Sequence, residues 1–186
     1  MRMTRLFAVG LAAAFALTSN LALAEGGYGS LSVFDWSVER TGIEKIESTG
    51  LRATGGYMFS DIFGIEGHIG TGGTDDIEYP VSGNLEDAEA ELNKVLGGFA
   101  KLNLPLNVMG VGLNVYGLAG YAYGRVDILS TTKSTTESAN SFAWGAGADV
   151  VLTDRLSLTV DYIDYISRTG FDAHAASLGL RLSFSD

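Results

Sequence analysis

The chain contains no cysteine and only two prolines among its 186 residues. Without cysteine there can be no disulfide framework, so burial and backbone hydrogen bonds must hold the fold. Beyond residue 24, no apolar run reaches the roughly 18 residues that a membrane-spanning helix requires. Basic residues are also few, with 12 Lys and Arg against 22 Asp and Glu. These shortages exclude a disulfide scaffold and a helical membrane protein, and they disfavour nucleic-acid binding.

Residues 1–24 have the three parts of a secretory signal peptide. Arg2 and Arg5 give a positive start, residues 6–17 are apolar, and Ala22-Leu23-Ala24 matches an A-x-A cleavage site. The alternative, a retained N-terminal anchor, is disfavoured because the apolar segment is too short to span a bilayer. We expect a cleaved signal peptide over 1–24 and a single exported domain over 25–186.

What the chain does contain is glycine, together with apolar residues that recur with a period of two. Glycine accounts for 25 residues and mean hydropathy is +0.19, and this glycine content is nearly twice the ~7% average. In residues 175–184, AASLGLRLSF, small or polar residues alternate with apolar ones. This pattern predicts a β-strand with one apolar face, either in a soluble sheet or in a barrel wall that faces lipid.

About eight segments have this strand character. They cover approximately residues 28–38, 50–59, 63–72, 94–105, 111–127, 140–152, 155–167 and 175–184. Short connections (60–62, 106–110 and 153–154) alternate with long ones (39–49, 73–93, 128–139 and 168–174), as periplasmic turns and external loops do in outer-membrane barrels. We therefore predict an all-β fold, an eight-stranded antiparallel up-and-down transmembrane β-barrel. Within the second long connection, residues 85–96 are predicted to form a short helix capped by Asn84.

Aromatic residues near the ends of these segments predict two girdles on the lipid face. The girdle residues are Trp36, Tyr57, Phe59, Phe63, Tyr121, Tyr123, Phe142, Trp144, Tyr162 and Phe184. The alternative explanation is that aromatic residues simply favour strands. The first strand is the least clear, because Val33 competes with Phe34 and Trp36 for the apolar face.

Several of these segments carry a family resemblance. The signal peptide, VYGLAGYAYGRVD, SFAWGAGADVVLTDRLSLTVDYIDY and SLGLRLSF together resemble the small OmpA/OmpX-like eight-stranded outer-membrane barrels of Gram-negative bacteria. The resemblance covers the mature chain and implies a monomer in the outer membrane, surrounded by its lipid and lipopolysaccharide and inserted by the barrel-assembly machinery. That machinery usually reads a terminal aromatic residue, whereas here Phe184 is followed by Ser185 and Asp186.

The inward faces of the predicted strands carry one histidine and six charged residues. They are Arg52, Glu66, His68, Lys101, Asp149, Asp161 and Arg181. Charges inside a narrow barrel must be paired or hydrated. We expect Glu66 to pair with Lys101. We also expect Asp161 to pair with Arg181, so that the cluster forms a structural plug or, alternatively, lines a narrow ion or proton path.

Catalytic and metal-binding patterns are missing from the sequence. Some small outer-membrane barrels modify lipid A and need a serine and a histidine in register. The candidate pair, His174 and Ser177, falls on opposite faces of a regular strand because its spacing is odd. The acidic connection over 72–93 lacks the spacing of a calcium loop. We predict no enzyme, no cofactor and no metal.

Three functions remain open from the sequence. The first is an outer-membrane barrel with a structural or surface-interaction role, whose external loops are the contact sites. The second is a narrow, porin-like channel for small solutes or ions. The third is a soluble periplasmic binder of the lipocalin type, in which the apolar faces would point inward around a ligand.

Overall fold

The computed structural model describes residues 26–40, 46–81, 84–130, 134–168 and 171–184. These residues form nine β-strands, and every paired neighbour is antiparallel. The strands are β1 (Gly27–Arg40), β2 (Ile46–Met58), β3 (Phe63–Gly72), β4 (Thr74–Val81), β5 (Asn84–Val108), β6 (Val111–Ser130), β7 (Ser134–Val151), β8 (Leu156–Arg168) and β9 (Phe171–Ser183). Within the described ranges, none of the structure is a helix long and apolar enough to cross a membrane. The predicted signal peptide lies outside these ranges.

The strands close into a barrel. The sheet order is β3-β2-β1-β9-β8-β7-β6-β5-β4, and β3 also pairs with β5. The first and last strands are neighbours, and the Phe184 amide donates a hydrogen bond of 2.8 Å to the Gly27 carbonyl. Because β3 joins β5 directly, β4 lies outside the wall. The wall therefore has eight strands, and the predicted eight-stranded antiparallel barrel is confirmed.

The strand β5 replaces the helix predicted over 85–96. β5 runs without interruption from Asn84 to Val108. Its first part pairs with β4 from Val81↔Asn84 to Thr74↔Glu91, and from residue 88 onward it also pairs with β6. The helix prediction is wrong because backbone ladders on both sides of this stretch outweigh its local helix propensity.

The two ends of the barrel are built differently. At one end, here called the turn end, the connections are residues 59–62, 109–110 and 152–155. Met109 and Gly110 both have positive φ, 53° and 85°, as a tight two-residue hairpin turn requires. At the other end, here called the hairpin end, much of the predicted long connections is strand, since β6 reaches Ser130 and β7 starts at Ser134.

Beyond the wall, the described strands separate into two sheets at the hairpin end. The β7–β8 ladder starts at Trp144↔Asp164, although β7 begins at Ser134. The β2–β3 ladder similarly starts at Gly50↔Gly72, although β2 begins at Ile46. We call the resulting four-stranded sheets extension A (β4-β5-β6-β7) and extension B (β8-β9-β1-β2).

In the half nearer the turn end, the barrel is polar inside and apolar outside. Between the two ends, outward side chains such as Ile65, Leu102 and Leu180 are 49–55% exposed. Inside, Arg52 and Lys101 are 3% and 1% exposed. A lipocalin-type barrel has the reverse polarity, so the soluble-binder alternative is wrong. An apolar outer band around a polar interior is the arrangement of a membrane barrel.

Outward aromatic side chains lie in two groups on roughly opposite sides of the wall. The turn-end group, around β2 and β3, is Tyr57, Phe59 and Phe63, and the hairpin-end group, on β6 to β8, is Tyr121, Tyr123, Phe142, Trp144 and Tyr162. Phe184 is half-buried at the turn end.

Trp36 is a correction to the predicted girdles, because it is only 2% exposed and lies in the interior. The phase of β1 is such that Val33 faces outward, 47% exposed, while Phe34 and Trp36 face inward. A small apolar side chain suffices against lipid, whereas large rings are needed to fill the interior.

Candidate functional site in the barrel interior

The barrel interior is divided into two layers. The seven side chains predicted to face inward all lie in the layer nearer the turn end, each at most 8% exposed: Arg52, Glu66, His68, Lys101, Asp149, Asp161 and Arg181. The layer nearer the hairpin end is almost entirely apolar. It contains Phe34, Trp36, Leu92, Val95, Phe99, Leu118, Ala122, Ala143, Ile163, Tyr165, Ile166, Ala173 and Ala175.

Glu66 is the centre of the charged layer. Its Oε2 accepts hydrogen bonds from the Tyr28 hydroxyl at 2.5 Å and from Lys101 Nζ at 3.1 Å. The same oxygen lies 3.5 Å from Arg181 Nη2, and Oε1 lies 2.7 Å from His68 Nε2. The structure thus brings Glu66 and Lys101 together as their pairing requires, and it adds three further partners.

Arg52 and Asp161 form the second part of this layer. The guanidinium contacts both carboxylate oxygens of Asp161, with Nη1 to Oδ1 at 3.0 Å. Arg52 Nη2 also donates to Ser177 Oγ at 2.7 Å, and Ser177 donates in turn to Asp161 at 2.8 Å. This bidentate geometry is the strong form of an arginine–carboxylate contact.

Arg181 is paired with Asp149 and Glu66, so the predicted Asp161–Arg181 pair is wrong. In the β8–β9 ladder, Asp161 faces Ser177 while Arg181 faces Ser157. The two residues are therefore offset by about 13 Å along the strands, at roughly 3.3 Å per residue. The offset arises from the stagger between neighbouring strands. The sequence alone does not determine this stagger, so it cannot show which inward residues of β8 and β9 lie at the same height.

The charged layer is electrically balanced. Arg52, Lys101 and Arg181 supply three positive charges, and Glu66, Asp149 and Asp161 supply three negative charges. Each carboxylate contacts at least one cation. Buried charges are tolerated when they are paired and hydrogen-bonded, so this arrangement offsets the cost of removing them from water.

Two tyrosines that the sequence analysis did not assign to the interior hold the cations in place. Lys101 Nζ lies 3.8 Å from the ring centre of Tyr116 and 4.9 Å from that of Tyr28. Arg181 Cζ lies 4.6 Å from the Tyr28 ring and 5.2 Å from the Tyr116 ring. At these distances the ring faces attract the cations, which adds to the carboxylate contacts.

Each of these tyrosines lies over a glycine on the neighbouring strand. Tyr28 pairs with Gly56 and Tyr116 pairs with Gly147. A Cβ at Gly56 would overlap the Tyr28 ring, and one at Gly147 would lie 2.5 Å from Tyr116 Cζ. An inward glycine facing an aromatic residue across the ladder is the sequence signal that would have revealed both rings.

Tyr165 connects the two layers through a β-bulge. The β8–β9 register passes from Asp164↔His174 to Ile166↔Ala173, so Tyr165 is an extra residue. Both Tyr165 and Ile166 consequently point inward, 2% and 1% exposed.

The hydroxyl of Tyr165 contacts the charged layer, and its ring contacts the apolar layer. Its hydroxyl accepts from Arg52 Nη1 at 3.1 Å and lies 2.9 Å from His68 Nδ1. Its ring lies 5.7 Å from Trp36 and 6.2 Å from Phe99. One side chain therefore links the charged network to the apolar packing.

The structure keeps His174 and Ser177 apart. His174 lies on the outer face, where its ring is 5.5 Å from that of Tyr162. Ser177 is inside the barrel, bonded to Arg52 and Asp161. Among the described residues, no three His, Asp or Glu side chains are arranged to hold a metal ion.

Comparison with known proteins identifies the family to which this barrel belongs. The profile of the family described as outer membrane protein beta-barrel domain matches residues 5–184. The chain belongs to this outer-membrane barrel family. No curated protein sequence is significantly similar to it.

Solved outer-membrane barrels share the fold of this family member. The Ail protein of Yersinia pestis superposes with a TM-score of 0.61 at 20% identity, covering 86% of this chain and 100% of Ail. OprG of Pseudomonas aeruginosa has a TM-score of 0.59 at 14% identity, covering 87% and 97%. The neisserial surface protein NspA has a TM-score of 0.59 at 13% identity, covering 85% and 97%.

Family membership indicates what the outer face of the wall contacts. The protein is an outer-membrane barrel whose apolar band faces lipid. The charged layer is then shielded from lipid by the strands themselves, and each inward charge is neutralised inside the wall.

Proposed function

We propose that this protein is a closed outer-membrane scaffold that makes contacts at its hairpin end. The observation that carries the proposal is the contrast between a filled interior and strands that continue past the wall. A protein whose main task is transport needs an open interior, whereas a contact protein needs an exposed surface. In the described residues, side chains fill the interior and strands extend beyond the wall at the hairpin end.

The filled interior supports a scaffold over a channel. The charged layer joins side chains from β2, β3, β5, β7, β8 and β9 across the barrel. Above it, Phe99, Tyr165 and Trp36 form a continuous set of rings at 5.7–6.2 Å between centres. Eight strands leave an interior that side chains just fill, and both layers here consist of such side chains.

The edge of extension A supports contact through the backbone. Residues 137–140 of β7 precede the ladder with β8, so the backbone of this stretch can pair with another extended segment. The opposite edge strand, β4, contains Pro80 together with Asp75, Asp76 and Glu78. Proline and charge discourage strand addition, so the β7 edge is the more receptive of the two.

A protein of similar fold supports the proposed contact role. Ail is named an attachment invasion locus protein, and one of its structures is a complex with the heparin analogue sucrose octasulfate. For the present chain, attachment to an outside surface is part of our proposal. In this proposal the signal peptide is cleaved, the barrel-assembly machinery inserts the protein as a monomer, lipopolysaccharide surrounds it, and the hairpin end faces outward.

One experiment separates the scaffold from the channel. The purified protein is reconstituted into planar bilayers and its ion conductance is recorded. We expect no steady conductance, because both interior layers are filled. A stable open state in the unmodified protein would overturn the scaffold and favour the narrow-channel alternative.

A second experiment tests the contact role. In the variant, an Asn-Gly turn replaces residues 127–136 and closes the hairpin at the Val126↔Glu137 pair. Bacteria that produce the protein or the variant are compared for retention on surfaces coated with extracellular-matrix proteins. We expect several-fold greater retention with the full protein only. Equal heat-modifiable gel mobility shows that both barrels fold, and equal retention of producing and non-producing bacteria would contradict the contact role.

A further inference from the structure

The outer face of extension B is polar directly above the apolar band. Three rows of residues, paired across β8, β9, β1 and β2, show the change. From the hairpin end towards the turn end, the rows are Asp164-His174-Ser37-Glu47, Tyr162-Ala176-Asp35-Thr49 and Val160-Leu178-Val33-Leu51. The third row is apolar and belongs to the lipid-facing band, so the first two rows lie at or beyond the edge of this band.

The polar rows are acidic. Their carboxylates are Asp35, Glu47 and Asp164, and Asp172 follows on β9 one row nearer the hairpin end, where it pairs with Ser167. All four acidic side chains are exposed or half-buried. We call the two polar rows together with Asp172 the acidic patch.

Hydroxyl groups hold two of these carboxylates in place. Thr49 Oγ1 donates to Asp35 Oδ1 at 2.9 Å, and Ser167 Oγ donates to Asp172 Oδ1 at 3.0 Å. A hydroxyl positions a carboxylate without neutralising its charge. Glu47 has a further interaction within the protein, so the negative field of the acidic patch is attributed here to the three aspartates.

A cavity of about 370 Å³ adjoins the acidic patch. It is lined by Asp35, Trp36, Ser37, Glu47, Ser48 and Thr49. At this height β2 has passed the end of its ladder with β3, which starts at Gly50↔Gly72. The cavity therefore lies where the wall separates into the two extensions, and its volume falls within the usual range of ligand-binding pockets.

Ser37 is a buried polar group that lines this cavity. Its side chain is only 9% exposed, and its hydroxyl has no hydrogen-bond partner among the residues that the structure describes. On the strand ladders it lies between Glu47 and His174. Leaving a buried hydroxyl unpaired costs free energy, so a donor that enters the cavity would gain a hydrogen bond and relieve this cost.

The charge of the acidic patch selects a cationic ligand. Asp35 and Asp164 repel an anion, whereas an ammonium or guanidinium group can contact these carboxylates and also donate to Ser37 Oγ. A cation therefore satisfies both the charge of the patch and the unpaired hydroxyl.

The spacing of the acidic patch favours several cations on one extended chain. Four strands at roughly 4.8 Å each spread the carboxylates over about 14 Å, which is too wide for one cationic group. Successive rows on a strand are about 6.8 Å apart, and same-face side chains of an extended peptide have the same separation. A polypeptide with Lys or Arg at alternate positions fits this spacing.

We propose that the acidic patch binds a basic polypeptide segment, with one Lys or Arg side chain in the cavity beside Ser37 and others against Asp35, Asp164 and Asp172. This inference rests on the proposed contact function and deepens it, because it names the chemistry of the partner. Asp164 also starts the β7–β8 ladder, so the bound segment would lie next to the β7 edge.

The test measures peptide binding to the purified folded protein in neutral detergent. The probe is a fluorescent octapeptide of alternating Lys and Thr, compared with an octapeptide of alternating Glu and Thr and with spermine. The protein is compared with Asp35→Asn/Asp164→Asn, with Ser37→Val, and with Asp61→Asn/Asp154→Asn, which removes the same charge from exposed positions at the turn end. Heat-modifiable gel mobility verifies that every variant is folded.

We expect Asp35→Asn/Asp164→Asn to bind the Lys peptide about tenfold more weakly, since each exposed ion pair contributes roughly threefold. Ser37→Val should weaken binding several-fold, because it removes the acceptor and fills part of the cavity. Asp61→Asn/Asp154→Asn should bind like the parent protein, and the Glu peptide should not bind. Unchanged binding by either patch variant would overturn the proposal. Equally tight binding of spermine would also overturn it, because any multivalent amine would then suffice.

Failure of this site is distinguishable from failure of the contact function. The variant with the shortened β6–β7 hairpin retains every residue of extension B, and peptide binding is measured without bacteria. If the Lys peptide binds as expected but producing bacteria are not retained, the contact function alone is wrong. If the bacteria are retained but the Lys peptide does not bind, the acidic patch is wrong.

Discussion

The two interior layers fill the same barrel by opposite means. Near the turn end, Glu66 and Asp161 are held by cations and hydroxyls at defined distances. Near the hairpin end, Phe99 and Ile163 are held by packing alone. A charged network fixes which strands meet at which height, since each partner must be satisfied. Apolar packing tolerates rearrangement but excludes water and ions. The combination yields a barrel with both a fixed register and a sealed interior.

The largest expected effect comes from removing the centre of the charged layer. Glu66→Ala leaves Lys101 and Arg181 without one carboxylate and should lower the free energy of unfolding by about 3–5 kcal/mol. The measurement is urea unfolding in lipid vesicles, followed by heat-modifiable mobility. Asp154→Ala, an exposed turn-end acid, is the control and should be nearly neutral. Equal stability of the two variants would show that the network is not held together by Glu66.

The apolar layer should respond almost as strongly to loss of volume. Phe99→Ala leaves a cavity beside Tyr165 and His68, and we expect a loss of about 3 kcal/mol. The matched control is Phe142→Ala, whose ring is 61% exposed on the outer wall. Planar-bilayer recordings extend this test: if the apolar layer is the seal, ion leakage should increase for Phe99→Ala and not for Phe142→Ala.

Excess volume in the charged layer should have a smaller effect. Gly147→Ala places a methyl group 2.5 Å from the Tyr116 ring, which forces that ring away from Lys101. We expect a loss of roughly 2 kcal/mol in unfolding free energy. Gly98→Ala is the control, because nothing lies within 4 Å of its added Cβ. A neutral result for both glycines would mean that Tyr116 can move without breaking its contacts.

The smallest effect tests the link between the layers. Tyr165→Phe keeps the ring against Trp36 but removes the hydroxyl shared by Arg52 and His68. The expected loss is about 1–2 kcal/mol. Tyr162→Phe, which changes an outward tyrosine on the same strand, serves as the control. If Tyr165→Phe were as costly as Phe99→Ala, the hydroxyl would matter to the apolar layer as well.

Much of the fold was predictable because its signals are local. Alternation in residues 140–152 and 155–167 depends only on successive residues, and it places Asp149 and Asp161 on the face that is buried in the structure. Tight turns such as Met109-Gly110 are local as well. The prediction failed where strands must be compared. The phase of β1 was ambiguous because both of its faces carry apolar residues, and residues 85–96 resembled a helix until β4 and β6 were placed beside them.

By itself, the sequence determined the number of wall strands, the lipid-facing leucines and the set of charges inside, because a period of two is a property of each strand alone. Only the tertiary structure decided which charges meet. The stagger between β8 and β9 assigns Asp149 rather than Asp161 to Arg181, and the bulges at Asn93 and Tyr165 turn single side chains to the opposite face. These choices depend on contacts between strands distant in sequence, since a ladder register is fixed only when both partners are satisfied together.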